Sequence, residues 1–293
     1  MNILVTGSQG LIGRWVVKRL REAGHTLRTL DRAAQKPEYN EEHLPGDIRD
    51  SSLVRRAVQG MEAVVHLAAI PSDFFGNAEA ILSTNLQGTW NVLLACGEAG
   101  VKRVVNFSSI NALGHAEEKP NPGLYLPLDD EVPPYLARAY SITKRLGEEM
   151  CQAFANQYSL TAISLRPTAV REPPSGKGNW WDFIPEESLE FFASQDFFSY
   201  VDVRDVCEAV VLGLTAPLEG HQGVLLAADD TLAKIPTAEL VEKYYPHLPW
   251  PKVAKEAYLA GDPYRSLLDC SKAKRLLGWQ PKIRMRDPAS GYP

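Results

Sequence analysis

NILVTGSQGLIG, Asn2–Gly13, is a short run of branched apolar residues that breaks into three glycines and then into a helical pattern. A strand buried on both faces reads as a continuous apolar run of this kind. Glycines after such a strand let the chain turn tightly and bring backbone close to a pyrophosphate, which then rests on the free N–H groups of a helix N-terminus. The spacing is GxxGxxG, one residue longer than the GxGxxG form, and its place between a first strand and a first helix is what gives it weight. Gly7, Gln9, Gly10, Leu11, Ile12 and Gly13 are therefore candidates for holding a dinucleotide. The plain alternative is a turn followed by a glycine that packs a helix.

The same alternation continues outward from that stretch. Apolar runs recur at His25–Leu30, Ala63–Leu67, Arg103–Phe107 and Thr161–Arg166, each rich in Val, Ile and Leu. Amphipathic patterns lie between them at about 11–23, 50–59, 77–98 and 138–158. Strands alternating with helices predict a parallel sheet covered on both faces, a doubly wound α/β fold of Rossmann type. Glu117–Tyr135 contains five prolines and predicts a long loop, the kind that often carries function. Past Arg166 the chain turns irregular, and helical patterns return at about 204–215, 236–245 and 271–277. This organisation reads as a dinucleotide-binding domain over 1–166 and a small C-terminal substrate lobe over 167–293, with room for the chain to cross back near 199–215. The tail beyond Lys282 has little pattern and is expected to be poorly ordered.

Asp31 ends the second strand, 18 residues after Gly13. An acid there accepts hydrogen bonds from both ribose hydroxyls and repels a 2′-phosphate, which favours NAD. Arg32 follows directly and can offset that repulsion, so NADP stays open. A cap or turn residue is the bland reading of Asp31. Asp47 and Ile48 follow a short third strand and are candidates for the adenine, with a turn aspartate nearly as good a reading. Leu67, Ala68 and Ala69 end the next strand, where small side chains let a dinucleotide pass, and Asn85 lies on the helix after it.

Tyr140 and Lys144 stand four apart in a helical run and share one face; of the eleven tyrosines only Tyr140 has a lysine at that spacing. A phenol near pKa 10 is a poor base at neutral pH, and lowering it by about three units takes roughly 4 kcal/mol. A lysine ammonium one turn away and a positive nicotinamide are expected to supply that. Ser109, just past strand Arg103–Phe107, can donate to a substrate oxygen. Gly7, Asp31, Asp47, Ala68, Ser109 and Arg166 each fall at the carboxyl end of a different strand, the edge where open parallel sheets bind ligands.

On these residues the sequence resembles the extended short-chain dehydrogenase/reductase family. The matching pieces are Thr6–Gly13, Asp31, Gly46–Ile48, His66–Ala69, Asn85 within TNLQGT, Ser108-Ser109, Tyr140–Lys144 (YSITK), Arg166-Pro167, Tyr200–Val203 and Ser271–Trp279. The resemblance implies an NAD(P) cofactor, contacted also by Tyr140, Lys144, Arg166 and Pro167, and a proton relay through Ser109, Tyr140 and Lys144. It further implies homodimers through helices that correspond here to about 77–98 and 138–158. Departures bear on the substrate. Ala169 stands where nucleotide-sugar epimerases usually carry asparagine, Asp196 where they carry an arginine, and Ile110-Asn111 where sugar dehydratases carry Asp-Glu. These point to a small substrate without a diphosphate, and SSINALG (Ser108–Gly114) looks more like uronate or aldose dehydrogenases.

Ser72, Ser109, Asn111, Arg171 and Trp181 are candidates for the substrate, with Lys177, Trp180, Phe183, Phe74 and Phe75 nearby; core packing or solvated charge is an equally good reading of each. The leading expectation is an NAD(P)-dependent oxidoreductase acting on a sugar, sugar acid or related hydroxyl/carbonyl compound. A nucleotide-sugar 4-epimerase with tightly held NAD is the alternative, and a non-catalytic NAD(P) sensor a third.

Bulk properties narrow the field further. The chain has 293 residues, 45% hydrophobic and 23% charged, with net charge −5 and no long basic run, which argues against nucleic-acid or anionic-membrane partners. No apolar run reaches the length of a membrane span. The four cysteines lack metal-binding spacing and are expected to pack as small hydrophobes, so no metal is expected and a cytoplasmic location is the default.

Overall fold

The computed structural model describes residues 1–34, 42–115, 121–173 and 194–290. Seven parallel strands form the central sheet: β1 (Asn2–Thr6), β2 (Thr26–Asp31), β3 (Glu42–Pro45), β4 (Ala63–His66), β5 (Arg103–Phe107), β6 (Thr161–Pro167) and β9 (His221–Leu226). Their order is β3-β2-β1-β4-β5-β6-β9. The chain builds outward from β1 to one side, returns, and builds outward from β4 to the other. The strand order therefore reverses between β1 and β4, where Thr6 lies opposite His66, and that point opens a crevice at the carboxyl ends.

Alternation along the strands divides the interior in two. Ile3 and Val5 face one layer with Val16, Val17 and Leu20 of α1 (Leu11–Glu22) and Val203, Val206 and Val210 of α6 (Val203–Thr215). Leu4 and Val64 face the other, against α2 (Ser51–Val58), α4 (Gly88–Ala99) and α5 (Ala139–Tyr158). All four cysteines are buried free thiols within these layers or the lobe beside them, as their spacing suggested. The short helix α3 (Ala78–Leu82) runs into α4 through a π-helical turn at Ser83–Gln87, so the span expected as one helix over about 77–98 is continuous but locally wide.

All five strand-like runs and the seven helical patterns lie within a residue of their expected limits. The chain crosses back to the sheet through α6, inside the span left open for it, and delivers β9, a strand without a sequence forecast. Its hydrogen-bonded partner is β6, through pairs from Ala162–His221 to Pro167–Leu226. A two-stranded ribbon, β7 (Val170–Arg171) with β8 (Val201–Asp202), stands beside it. Further helices α7 (Thr237–Tyr244), α8 (Lys255–Leu259) and α9 (Ser271–Leu277) complete the C-terminal third.

One expectation holds with an addition, and one needs correcting. The described part of the proline-rich segment is irregular yet anchored: Leu124, Leu126, Leu128 and Val132 are buried, and Leu128 exchanges backbone hydrogen bonds with Leu267 and Asp269. Residues 282–290 are also tied down. Lys282 and Ile283 donate their amides to Asp205, Met285 donates to the Tyr200 hydroxyl, and Arg284 pairs with Asp262. A tail without periodicity is held by polar side chains that no hydrophobic pattern reveals. Among the described residues no helix is long and apolar enough to cross a membrane.

Candidate active site

The glycine loop is shaped by two close approaches. Gly7 has φ +71° and donates to Leu30 O at 2.8 Å; a Cβ there would lie 2.6 Å from the Ala68 nitrogen. A Cβ on Gly13 would lie 2.1 Å from Gly7 O. These two glycines seat α1 against the loop and the loop against the end of β4. Gly10 is different: its Cβ would meet only Gly7 O, at 3.4 Å, which leaves open backbone at the amino end of α1. Helix N-termini carry unsatisfied N–H groups, and the first turn of α1 has no acidic side chain to compete for them. The Ser8 hydroxyl and Gln9 Nε2 are buried with no hydrogen-bond partner among the described residues. Asp31 Oδ2 accepts from Gln9 N at 2.9 Å and Oδ1 from Ala33 N at 3.0 Å, so the carboxylate is fixed at the loop with lone pairs to spare for ribose hydroxyls. Open amides, orphaned polar atoms and an anchored acid fit a dinucleotide.

The second cluster lies across the crevice. Tyr140 opens α5, and its amide donates to Asp73 Oδ1 at 3.0 Å, so a loop residue supplies the cap that Arg138 does not. Lys144, one turn on, is buried; Nζ donates to Phe107 O at 2.7 Å and lies 5.5 Å from the Tyr140 ring centroid. Ser109, at the end of β5, favours the ionised form of the Tyr140 phenol, and its Oγ accepts from Asn111 N at 3.2 Å and Asn111 Nδ2 at 3.3 Å. Burial governs both titrations. It pushes Tyr140 up to about 12, with Ser109 opposing, and Lys144 down to about 8, with Glu148 opposing. The expected low phenol value is thus not a property of the chain by itself. Lys144 stays mostly charged at neutral pH, while desolvation, helped by the Asp73 carboxylate, sets the phenol high.

A glycine loop at the switch point, an anchored acid on β2 and a Ser–Tyr–Lys group on β5 and α5 are the parts of a nicotinamide enzyme, and residues 3–227 match the model of the NAD dependent epimerase/dehydratase family. The chain belongs to that family. A 2-alkyl-3-oxoalkanoate reductase of Stenotrophomonas maltophilia is 33% identical over 178 residues, 59% of this chain and 52% of that one. A uronate dehydrogenase of Pseudomonas syringae is 28% identical over 215 residues, 73% of this chain and 74% of that one. The chain thus spans about half the length of the reductase. A crystal structure of UDP-glucose 4-epimerase with UDP-glucose from Thermotoga maritima superposes with a TM-score of 0.72 at 25% identity, covering 99% of this chain and 97% of that one. The chain is an enzyme of this NAD-dependent family.

The fold gives several of the sequence candidates partners within the chain. Asp47 is gripped by Arg49, whose amide, Nε and Nη2 all donate to it. Ile48 is buried under α4 and fills the space above Gly88. Asn85 uses its whole amide group on Ile70 and Thr143. Arg166 is buried in an ion pair with Glu148 and Asp130, beneath the site, and Pro167 is the last residue of β6. Asp196 accepts from buried His115 at 2.8 Å. Arg32 is exposed beside Asp31, Leu67 packs partly into the core, and Ala69 lines a small cavity next to Lys144. Ser72 caps the turn that carries Asp73, with Oγ accepting from Phe74 N. Arg171 sits on β7 opposite Asp202. Lys177, Trp180, Trp181 and Phe183 lie outside the described residues.

Sequence reading missed Asp73, Glu148 and Glu172. Glu148 carried a signal, since it stands four residues past Lys144 on the same helix face. Its carboxylate takes Arg166 and the Ser108 hydroxyl. Glu172 accepts from Arg14 and from Trp15 Nε1, pinning the start of the lobe to α1 beside the glycine loop. Neither Asp73 nor Glu172 has a periodic partner, so only the fold brings them into place.

Proposed function

We propose that this enzyme is a dehydrogenase or reductase that moves hydride to or from a small hydroxyl/carbonyl substrate, a free sugar or sugar acid in the first instance, with Tyr140 as the proton-transfer group. The observation that carries it is the Lys144 ammonium 5.5 Å from the Tyr140 ring, one helical turn away on α5, with Ser109 at the end of β5, opposite the glycine loop. The nicotinamide, when bound, supplies the hydride acceptor or donor. Tyr140 then gives its proton to, or takes one from, the substrate oxygen, and Ser109 donates to the same oxygen. A phenol held near 12 is protonated at neutral pH, the form that a reduction needs. Oxidation needs the phenolate, and positive charge from Lys144 and from bound NAD favours it.

The substrate class draws on the likeness to uronate dehydrogenase, on Ala169 and on Asp196, which keeps an acid where an epimerase would meet a diphosphate. The runner-up is a nucleotide-sugar 4-epimerase, favoured by the near-complete superposition on the UDP-glucose 4-epimerase. A panel of free sugars, uronates and UDP-sugars read by NADH absorbance separates them, because a dehydrogenase accumulates NADH and an epimerase does not. Titration of the NAD complex with UDP-glucose is the second arm; micromolar affinity promotes the epimerase.

In this reading 1–166 holds the dinucleotide, and 167–293 shapes the substrate pocket apart from the returning α6 and β9. Leu82, Trp90 and Leu146 are exposed apolar residues on α3, α4 and α5, and we assign that face to a homodimer. Four buried thiols suit a reducing compartment such as the cytoplasm.

A further inference from the structure

A chain of buried hydrogen bonds joins the glycine loop to the catalytic helix. Thr6, the residue before Gly7, has its Oγ1 2.8 Å from His66 Nδ1. His66 Nε2 lies 3.0 Å from Thr89 Oγ1, and Thr89 Oγ1 donates to Asn85 O at 2.5 Å. That last bond uses the only hydroxyl proton of Thr89, so Thr89 must accept from His66. Nε2 therefore carries the imidazole proton, Nδ1 accepts from Thr6, and Thr6 is left to accept from Ala68 N at 3.3 Å. Every direction in the chain follows from one bond.

The far end continues through the π-helical turn. Asn85 lies within that wide turn, and its side chain donates to Thr143 Oγ1 at 3.1 Å. Thr143 Oγ1 in turn donates to Tyr140 O at 2.8 Å. His66, Thr6 and Thr89 are buried, and the imidazole is kept neutral by its burial and by Lys144 across the small cavity.

We propose that His66 is a positioning residue: its neutral imidazole, bonded to Thr6 on one side and Thr89 on the other, couples occupancy of the glycine loop to the placement of Tyr140 at the start of α5. A ligand that settles the loop orders Thr6 and Ala68, and the directed chain carries that order to Asn85, Thr143 and Tyr140. The meaning of this for proton transfer rests on Tyr140 as the reacting phenol. The coupling itself is read without turnover, so its failure leaves that assignment untouched.

The test uses the full chain and ADP, which occupies the glycine loop and Asp31 but has no nicotinamide to touch Tyr140. Amide hydrogen exchange over Tyr140–Lys144 is measured with and without saturating ADP. The expected result is slowing by about fivefold, the low end of ordinary coupling, in the unaltered protein and less than about twofold in His66→Leu and in Thr89→Val. Thr89→Val keeps the shape of the side chain on α4 and decides the matter if His66→Leu does not fold. Because coupling is reciprocal, Thr89→Val should weaken ADP binding by no more than about that same fivefold, and abolished ADP binding in a folded Thr89→Val protein would count against the proposal. No slowing in the unaltered protein, or undiminished slowing in Thr89→Val, overturns the proposal.

Discussion

Replacing Arg166 by methionine removes the cation that holds two buried carboxylates together. Nε and Nη2 of Arg166 donate to the two oxygens of Glu148 at 2.9 and 2.5 Å, and Nη1 donates to Asp130 Oδ1 at 3.0 Å. The side chains are 7%, 3% and 3% exposed, so water cannot stand in for the lost donors. Methionine fills much of the space and offers no donor. Deleting one partner of a buried pair costs about 3–5 kcal/mol. At an m-value of about 3 kcal/mol/M, a loss near 4 kcal/mol lowers the urea midpoint by roughly 1.3 M. The sign of the pH dependence follows from the carboxylates. Without Arg166, Glu148 loses the interaction that now holds it below the usual carboxylate range, and Asp130, already up at about 6 through burial, rises further. Folded values above the unfolded ones mean that the folded variant binds more protons, so its deficit shrinks as pH falls, by up to about 1.4 kcal/mol per unit for each group. Urea unfolding of both proteins at about pH 8 and about pH 6, followed by far-UV circular dichroism, measures both quantities. Equal midpoints at the higher pH, or a deficit that widens on acidification, would refute the reasoning.

Tyr140→Phe should lower kcat at least about a thousandfold while NADH affinity, read by fluorescence, changes less than about threefold, because the phenol moves a proton and does not hold the dinucleotide. NAD should bind more tightly than NADP, and Asp31→Ala should narrow the gap; tighter NADP binding to the unaltered protein would mean that Arg32 dominates. Gly13→Ala forces a Cβ to within 2.1 Å of Gly7 O, so α1 must lift from the loop, and a loss of NADH affinity of about a hundredfold or more is expected. Acid should destabilise the fold: burial holds His66 down at about 3 and His221 at about 4. The unfolded chain therefore binds more protons below about pH 6.5, and each imidazole removes roughly 1.4 kcal/mol per unit until its folded value is reached. Asp130, Asp205 and Asp230, whose carboxyls are raised by burial, oppose this, while Glu148 adds to it; the histidines set the sign, and a melting temperature that holds steady from pH 6.5 to about pH 4.5 would contradict it.

Much of this molecule is readable along the chain because its signals are periodic. Val and Ile runs announce β1, β4 and β5, and the Tyr140–Lys144 spacing announces a shared face of α5. What escapes is tertiary. β9 begins with His221, Gln222 and Gly223, which look like a loop; Gly223 is needed because a Cβ there would crowd the Arg166 guanidinium at 2.7 Å. The intrachain partners of two site candidates are equally invisible along the chain: Asn85 braces Ile70 and Thr143, and Arg166 pairs with buried Glu148 and Asp130. Asp73 and Asp196 meet their partners across 67 and 81 residues, distances over which no local pattern speaks. The phenol titration also escaped, since a sequence displays the lysine one turn away but not the desolvation and the distant Asp73 that set the phenol high.

Asp205 has a consequence for how the chain matures. It sits in the first turn of α6, buried, its carboxyl raised by desolvation, and its amide donors are Lys282 and Ile283. Trp279 Nε1 donates to its backbone carbonyl at 2.8 Å. During vectorial synthesis α6 is made before any of these donors exist, and domains fold N-terminal first. Until residues 279–283 emerge, the carboxylate must remain hydrated, which keeps the amino end of α6 from closing onto the sheet. The sheet through β6 can form early, whereas α6 and β9 lock only after the later strap arrives. A nascent chain stalled before Trp279 should therefore expose the β6 edge to proteolysis and to pairing with other chains.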